Sequence, residues 1–223
     1  MRKIFLFTSV IAILISCSSK PKFELEVNLD NINSLLDKEI IIVQNLDGVI
    51  FYSDTIKIKK NNFTLNIPYE NDALLDISIP ESDFFGVLMV AEKGKIKLNI
   101  DGGKAHISGT PINDRLQAFN AGSDSVSLLF KNLEKEYAEQ ASFEPKNQKE
   151  RDEISKLYNE YRNNRTQLLV ENTDRIIAFT KENINNPIGE YFFMTNYIFF
   201  PADRQLEMKS FATEKIKKEL RIE

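Results

Sequence analysis

The apolar residues of this 223-residue chain change their spacing once, at Thr110-Pro111, and that change restricts the fold more than any other feature. From Phe23 to about Gly109 they alternate with polar residues, the period of two that places side chains on one face of a strand. The clearest runs are Phe23, Leu25, Val27, Leu29, then Phe63, Leu65, Ile67, Tyr69, then Leu75, Ile77, Ile79, and finally Ile96, Leu98, Ile100. Each predicts a half-buried strand. Between Ile40-Ile41-Ile42-Val43 and Val49-Ile50-Phe51-Tyr52 lies Asn45-Leu46-Asp47-Gly48, whose Asp-Gly pair supplies the positive φ angles of a tight hairpin. Further turn signals stand at Lys60-Asn61-Asn62, Glu92-Lys93-Gly94 and Asp101-Gly102-Gly103. Seven to eight short strands at this spacing predict an antiparallel β-sandwich over residues 22–109.

Beyond Gly109 the period becomes helical. Thr110 is placed to cap a helix whose first residue is Pro111, and Leu116, Phe119, Ser123, Val126, Phe130, Leu133 and Tyr137 recur at spacings of three and four. This predicts an amphipathic helix of about 25 residues. After a break around Ser142-Phe143-Glu144-Pro145, a second stripe of Ile154, Leu157, Tyr158, Tyr161, Leu168, Leu169 and Ile176 predicts a long charged helix folded back on the first. Asn186-Pro187 opens a third helix that Pro201 ends, and residues 203–220 form a fourth with Leu206, Phe211, Ile216 and Leu220 inward. The fold class expected is therefore α+β, a sandwich followed by an α-helical subdomain over residues 110–223.

The N-terminus carries an address. Arg2 and Lys3 precede an apolar run from Ile4 to Ile15, about a dozen residues, long enough for a secretory signal and short of the ~20 that span a bilayer. Leu14-Ile15-Ser16-Cys17 follows and resembles a lipobox, in which the cysteine becomes the lipid-bearing first residue of the mature chain. Residues 1–16 are then a lipoprotein signal peptide, and 17–21 a lipidated tether. Cys17 is the lone cysteine and there is no Trp, so no thiol remains for a disulfide or for thiolate chemistry. Removing Arg2 and Lys3 moves the formal charge from −4 to −6. An acidic body with lysines dispersed through both halves has no basic stripe for nucleic acid, which is excluded as a partner.

Candidate chemistry is sparse. His106, the single histidine, falls on a strand between Ala105 and Ile107 with no neighbouring cysteine or carboxylate cluster, and reads as an ordinary strand residue rather than a ligand. Asp47, Asp72, Asp83 and Asp101 fall in turns, where aspartate bonds local backbone N–H groups. A weak calcium site is the alternative. There is no EF-hand loop, P-loop, dinucleotide fingerprint or Gly-x-Ser-x-Gly elbow. No catalytic residue, metal or cofactor is expected. Tyr191 to Phe200 holds six aromatics in ten residues, more than one helical stripe hides, so this helix is either buried on two sides or faces a partner.

The segment Ile107-Ser108-Gly109-Thr110-Pro111-Ile112-Asn113-Asp114-Arg115-Leu116, after a β-rich stretch with the Glu92-Lys93-Gly94 turn, resembles an uncharacterised envelope module. In that family a β-rich domain precedes a helical segment and a thioredoxin-like disulfide reductase domain, in lipoproteins of Gram-negative anaerobes. The resemblance covers roughly residues 22–120. It implies a Trp-Cys-x-x-Cys site in the reductase domain, and these residues have no counterpart here, so the expectation is the module without its thioredoxin-like domain and without a redox role. The combined expectation is a non-catalytic envelope lipoprotein that binds or scaffolds. Its partners are the membrane, through lipid on Cys17, and another envelope protein. Ser18 after the cysteine resembles the residue that permits sorting to the outer membrane, facing the periplasm. An accessory to a separately encoded thioredoxin-like reductase and an unrecognised hydrolase are the alternatives.

Overall fold

The computed structural model describes residues 21–30, 33–46, 48–68, 70, 73–80, 82, 86–101, 103–142 and 144–222. Cys17 with its apolar run, and Asp47, Asp72 and Asp83, lie outside the described residues. The strands are β1 (Lys22–Asp30), β2 (Glu39–Leu46), β3 (Val49–Lys57), β4 (Asn62–Pro68), β5 (Leu74–Ser78), β6 (Val87–Val90), β7 (Lys95–Asp101) and β8 (Lys104–Ser108). The helices are α1 (Pro111–Gln140), α2 (Gln148–Glu182), α3 (Pro187–Asn196), α4 (Ala202–Phe211) and α5 (Glu214–Leu220), with a 3-10 turn at Tyr197–Phe199.

The strands form two four-stranded sheets, ordered β4-β1-β7-β8 and β3-β2-β5-β6. The alternation read from sequence is the packing itself. Phe23, Leu25, Val27 and Leu29 of β1, Ile40 and Ile42 of β2, Leu75 and Ile77 of β5, and Ile96, Leu98 and Ile100 of β7 are all buried. Register keeps them on one face, since Leu25 stands opposite Leu65 on one side and Ile96 on the other. One pair departs from the antiparallel expectation: β1 runs parallel to β7. A tight turn forces its two strands antiparallel, as in β2–β3 and β7–β8, whereas a strand returning after a long crossover is free to dock either way.

Helix α1 is 30 residues long, longer than expected, and α2 is 35. They pair as an antiparallel hairpin, with Tyr137 stacked on Tyr161 at 4.6 Å. Tyr158 and Leu169, expected in the α2 stripe, are exposed. A two-helix seam covers only a narrow strip, and residues flanking it stay in water. At the base of the hairpin the Arg175 guanidinium donates to the Phe119 carbonyl (2.9 Å) and the Ser123 hydroxyl (2.8 Å), and lies 4.1 Å over the Phe119 ring.

The expected fourth helix is two helices. Ala212 is extended, and the Thr213 hydroxyl accepts from Ile216 N (3.3 Å) to begin α5 afresh. Leu206 points outward, 69% exposed, and Met208 takes the buried place on α4. Two apolar clusters result. The first joins both sheets to Leu116, Phe119, Phe179 and Ile188, so the core continues from residues 22–109 into 110–223. The second gathers Ile177, Phe193, Met208 and Ile216. Helix α3 serves both. Phe192 packs edge-on to Phe119 (5.0 Å) and Phe179 (5.1 Å), while Phe193 stacks on Tyr197 (5.4 Å).

Candidate functional site

The segment that carries the family resemblance forms a latch between sandwich and helices. Strands β6 and β8 end their respective sheets, and each has backbone groups on its outer edge that need partners. The first turns of α1 supply them. Asn113, fully buried, accepts from Val90 N (2.9 Å) and donates to Val90 O (2.8 Å) through one side-chain amide, taking the place of a further strand on β6. On the other sheet, Gln117 Oε1 accepts from Ile107 N and Asp114 Oδ1 from Gly109 N, both at 2.8 Å.

Thr110 occupies the N-cap position with Pro111 after it, yet its hydroxyl makes no capping bond and instead accepts from Asn113 Nδ2 (2.8 Å). The cap comes from Glu92, whose Oε2 accepts from Ile112 N (3.0 Å) and Asn113 N (3.2 Å), a carboxylate favoured there by the helix dipole. Gly109 turns the chain with φ +102°, and any Cβ would strike the Lys95 carbonyl. The residues that looked most like a signature are thus explained by construction: they hold a helix across two sheet edges.

A second junction lies between α2 and α3. Asn183, buried, donates to Phe179 O (2.8 Å) and accepts from Asn186 Nδ2 (3.1 Å) and Arg115 Nε (3.3 Å). Asn186 caps α3 by accepting from Ile188 N (3.1 Å) and Gly189 N (3.3 Å). Gly189 packs its α-carbon directly on the Asn183 carbonyl, which leaves no room for a Cβ.

Beside this junction a cleft of about 700 Å³ opens between the β2–β3 hairpin end and the helices. Leu46, Gly48 and Leu74 line the sandwich side. Pro187, Tyr191 and Met194 line α3, and Thr213, Lys215 and Glu219 line α5 and its cap. The volume falls within the roughly 300–1,000 Å³ of ligand-binding clefts. Beyond the cleft lining, Ile198 (65% exposed) and Phe199 (78% exposed), in the 3-10 turn that follows α3, are left in water. Across the cleft, Val49 and Ile50 beside Gly48 are exposed as well.

His106 is exposed on β8, with Nδ1 3.3 Å from Gln117 Nε2, and Asp101 is exposed at the end of β7. Among the described residues no three His, Cys, Asp or Glu side chains are grouped to hold a metal. Tyr52 has its phenol pushed up to about 12, first by burial and then by its hydrogen bond to Asp54 (3.0 Å) and that carboxylate's charge. Burial also raises the Asp76 carboxyl, which stands between Val43 and Leu88 on neighbouring strands. Sequence reasoning missed Asn183 and the cleft, and it marked Asn113 only as part of the resembling segment and Glu92 only as part of a turn, not as the groups that close the latch. Asn113 carried one usable signal, its place three residues before Leu116 on the buried face of α1.

Among the described residues no helix is long and apolar enough to cross a membrane. No curated protein and no solved structure matches the chain significantly. Residues 23–116, from the start of β1 through the latch to Leu116, are similar to a family described as a domain of unknown function (DUF4369).

Proposed function

We propose that this chain is a non-catalytic cell-envelope lipoprotein, held to the membrane by lipid on Cys17, whose sandwich-and-helix body binds or scaffolds another envelope protein. The observation that carries the binding role is the cleft together with exposed large apolar residues close in sequence to those that line it. The large apolar side chains of Val49, Ile50, Ile198 and Phe199 are left in water, and exposed apolar patches mark contact sites. The Leu14-Ile15-Ser16-Cys17 sequence supports the anchor, and Ser18 supports the outer membrane, facing the periplasm. The resemblance of residues 107–116 to the module that precedes thioredoxin-like domains supports a narrower form, in which the partner is a separately encoded thioredoxin-like reductase.

Photo-cross-linking in cells tests the binding role. A cross-linkable residue at Tyr191 or at Ile50 should yield one shared protein adduct, and the same residue at Lys149, far along α2, should yield none. Equal adducts from Lys149 would remove the cleft from the reading. A palmitate analogue should label the wild type and not Cys17→Ala, and equal labelling of both would remove the anchor.

A further inference from the structure

Of the four strands that end the two sheets, β6 and β8 are met by α1, which leaves β3 and β4. Strand β4 finishes on Pro68, a residue without a backbone donor that suits an outer strand. Strand β3 is nine residues long, and none of them is buried. Ile58 N, just past its end, donates to the carbonyl of Lys38, the residue before β2 (2.8 Å). By strand alternation Ile56, Asp54 and Tyr52 then turn their backbone groups to β2, and Thr55 and Ser53 turn theirs outward.

One side chain on this edge breaks the pattern. Asp54 stands opposite Ile42, which is buried, and between Tyr52 and Ile56, which pack against the core. A carboxylate therefore occupies the core-facing side of an outermost strand, and it is exposed there because β3 ends the sheet. Its Oδ1 accepts from Thr55 N (2.8 Å) and its Oδ2 from the Tyr52 hydroxyl (3.0 Å). One outward backbone donor is thus already taken.

The residues around Asp54 are self-complementary. Were β3 to meet β3 of a second copy antiparallel, about a two-fold axis through Asp54, Ser53 would stand opposite Thr55 and Tyr52 opposite Ile56, each twice. Hydroxyl pairs and aromatic pairs with β-branched residues stabilise sheets. The outward backbone groups of Ser53 and Thr55 would face each other in register. At the centre, however, two Asp54 carboxylates would be directly opposed and shut off from water, which disfavours the pairing. We propose that Asp54 guards this edge, and that the partner it excludes is a second copy of this chain, joined β3 to β3. A charged side chain on the inward face of an edge strand is a known means of preventing such sheet extension. The proposal is independent of the cleft and of the lipid anchor.

The test uses the chain from residue 17 with Cys17→Ser, which removes the lone thiol, as the parent. In sedimentation equilibrium Asp54→Thr should self-associate about tenfold more tightly than the parent, or more, with circular dichroism showing both folded. Asp54→Lys should associate no more than the parent when alone, since like charges still meet on the axis. Mixed with the parent it should form a one-to-one complex, because opposite charges then face each other. Asp54→Cys should oxidise to a disulfide-linked dimer, as the central pair stands about 4.5 Å apart at Cα, within disulfide reach. Ser53→Cys, offset from its own counterpart in that register, should not. A folded Asp54→Thr no more associated than the parent, or a parent as associated as Asp54→Thr, would overturn the guard. Association of Asp54→Thr without the disulfide at position 54 would overturn β3 as the contact. Should Asp54→Thr fail to fold, the mixture of parent and Asp54→Lys still decides, and no complex there would overturn the proposal.

Discussion

Asn113→Ala is the most informative single change to this fold. The substitution removes the polar contacts of one fully buried side chain: its oxygen accepts from Val90 N, and the two hydrogens of its amide nitrogen are shared among Val90 O, Thr110 and Glu92. Its main cost is not the lost bonds. Val90 is itself buried, so its N–H and C=O are left without partners in a place water reaches poorly. An orphaned buried polar group costs roughly 1–3 kcal/mol, so the two together should cost about 2–6 kcal/mol, against a total stability on the order of 5–15 kcal/mol. Asn113→Asp separates the charge effect from the shape effect. It keeps the acceptor for Val90 N but sets a carboxylate against the Val90 carbonyl and against Glu92 Oε2, which now lie 2.8 and 3.2 Å from the amide nitrogen. It should be less stable than Asn113→Ala at neutral pH and recover as acid protonates it. Urea unfolding followed by circular dichroism measures both, with Asn132→Ala on the exposed part of α1 as the control. If Asn113→Ala unfolds within about 0.5 kcal/mol of the wild type, with an unchanged denaturant slope, the latch does not hold the two halves together.

Gly189→Ala should destabilise by about 1–3 kcal/mol, because its Cβ meets the Asn183 backbone rather than a yielding side chain; an unchanged melting temperature would show that the α2–α3 junction is loose. Phe193→Ala, in the second cluster, should cost about 3–5 kcal/mol, while Leu206→Ser on the outer side of α4 should stay within about 0.5 kcal/mol; comparable losses from the two would mean that α4 packs with its other face inward. Asp76 supplies a pH test. Burial raises its carboxyl above the ordinary 3.8, so the folded chain holds that proton more tightly than the unfolded one, and this contribution to stability declines as pH rises through the raised value and then levels off. Asp76→Asn should remove the decline, and a wild type that gains on Asp76→Asn as pH rises through the same window would show the sign to be wrong.

The kinds of element, and their order as far as Pro201, were legible in the residues themselves. Alternation in Phe23–Leu29 and Ile96–Ile100 marks strands with one buried face because side chains in a strand point to opposite sides in turn. Pro after Thr110 and after Asn186 marks helix starts because proline fits only where no backbone donor is needed. These are local causes, and they act on the residues that display them. What each face packs against is not local. The parallel pairing of β1 with β7, the exposure of Tyr158, Leu169 and Leu206, and the break at Ala212-Thr213 were decided by which surfaces were already covered once the chain folded. The candidate site shows the same division. The aromatic density of α3 announced a helix with more apolar surface than one face can bury, but the division of Phe192 and Phe193 between two clusters, with Tyr191, Ile198 and Phe199 left in water, needed both clusters in place. In a string of letters Asn183 reads as an ordinary polar residue, and Asn113 as one letter of a resembling segment with no stated role. Each became indispensable only when tertiary packing enclosed it among backbone groups that had no other partner, because a hydrogen bond's worth depends on whether water can replace it.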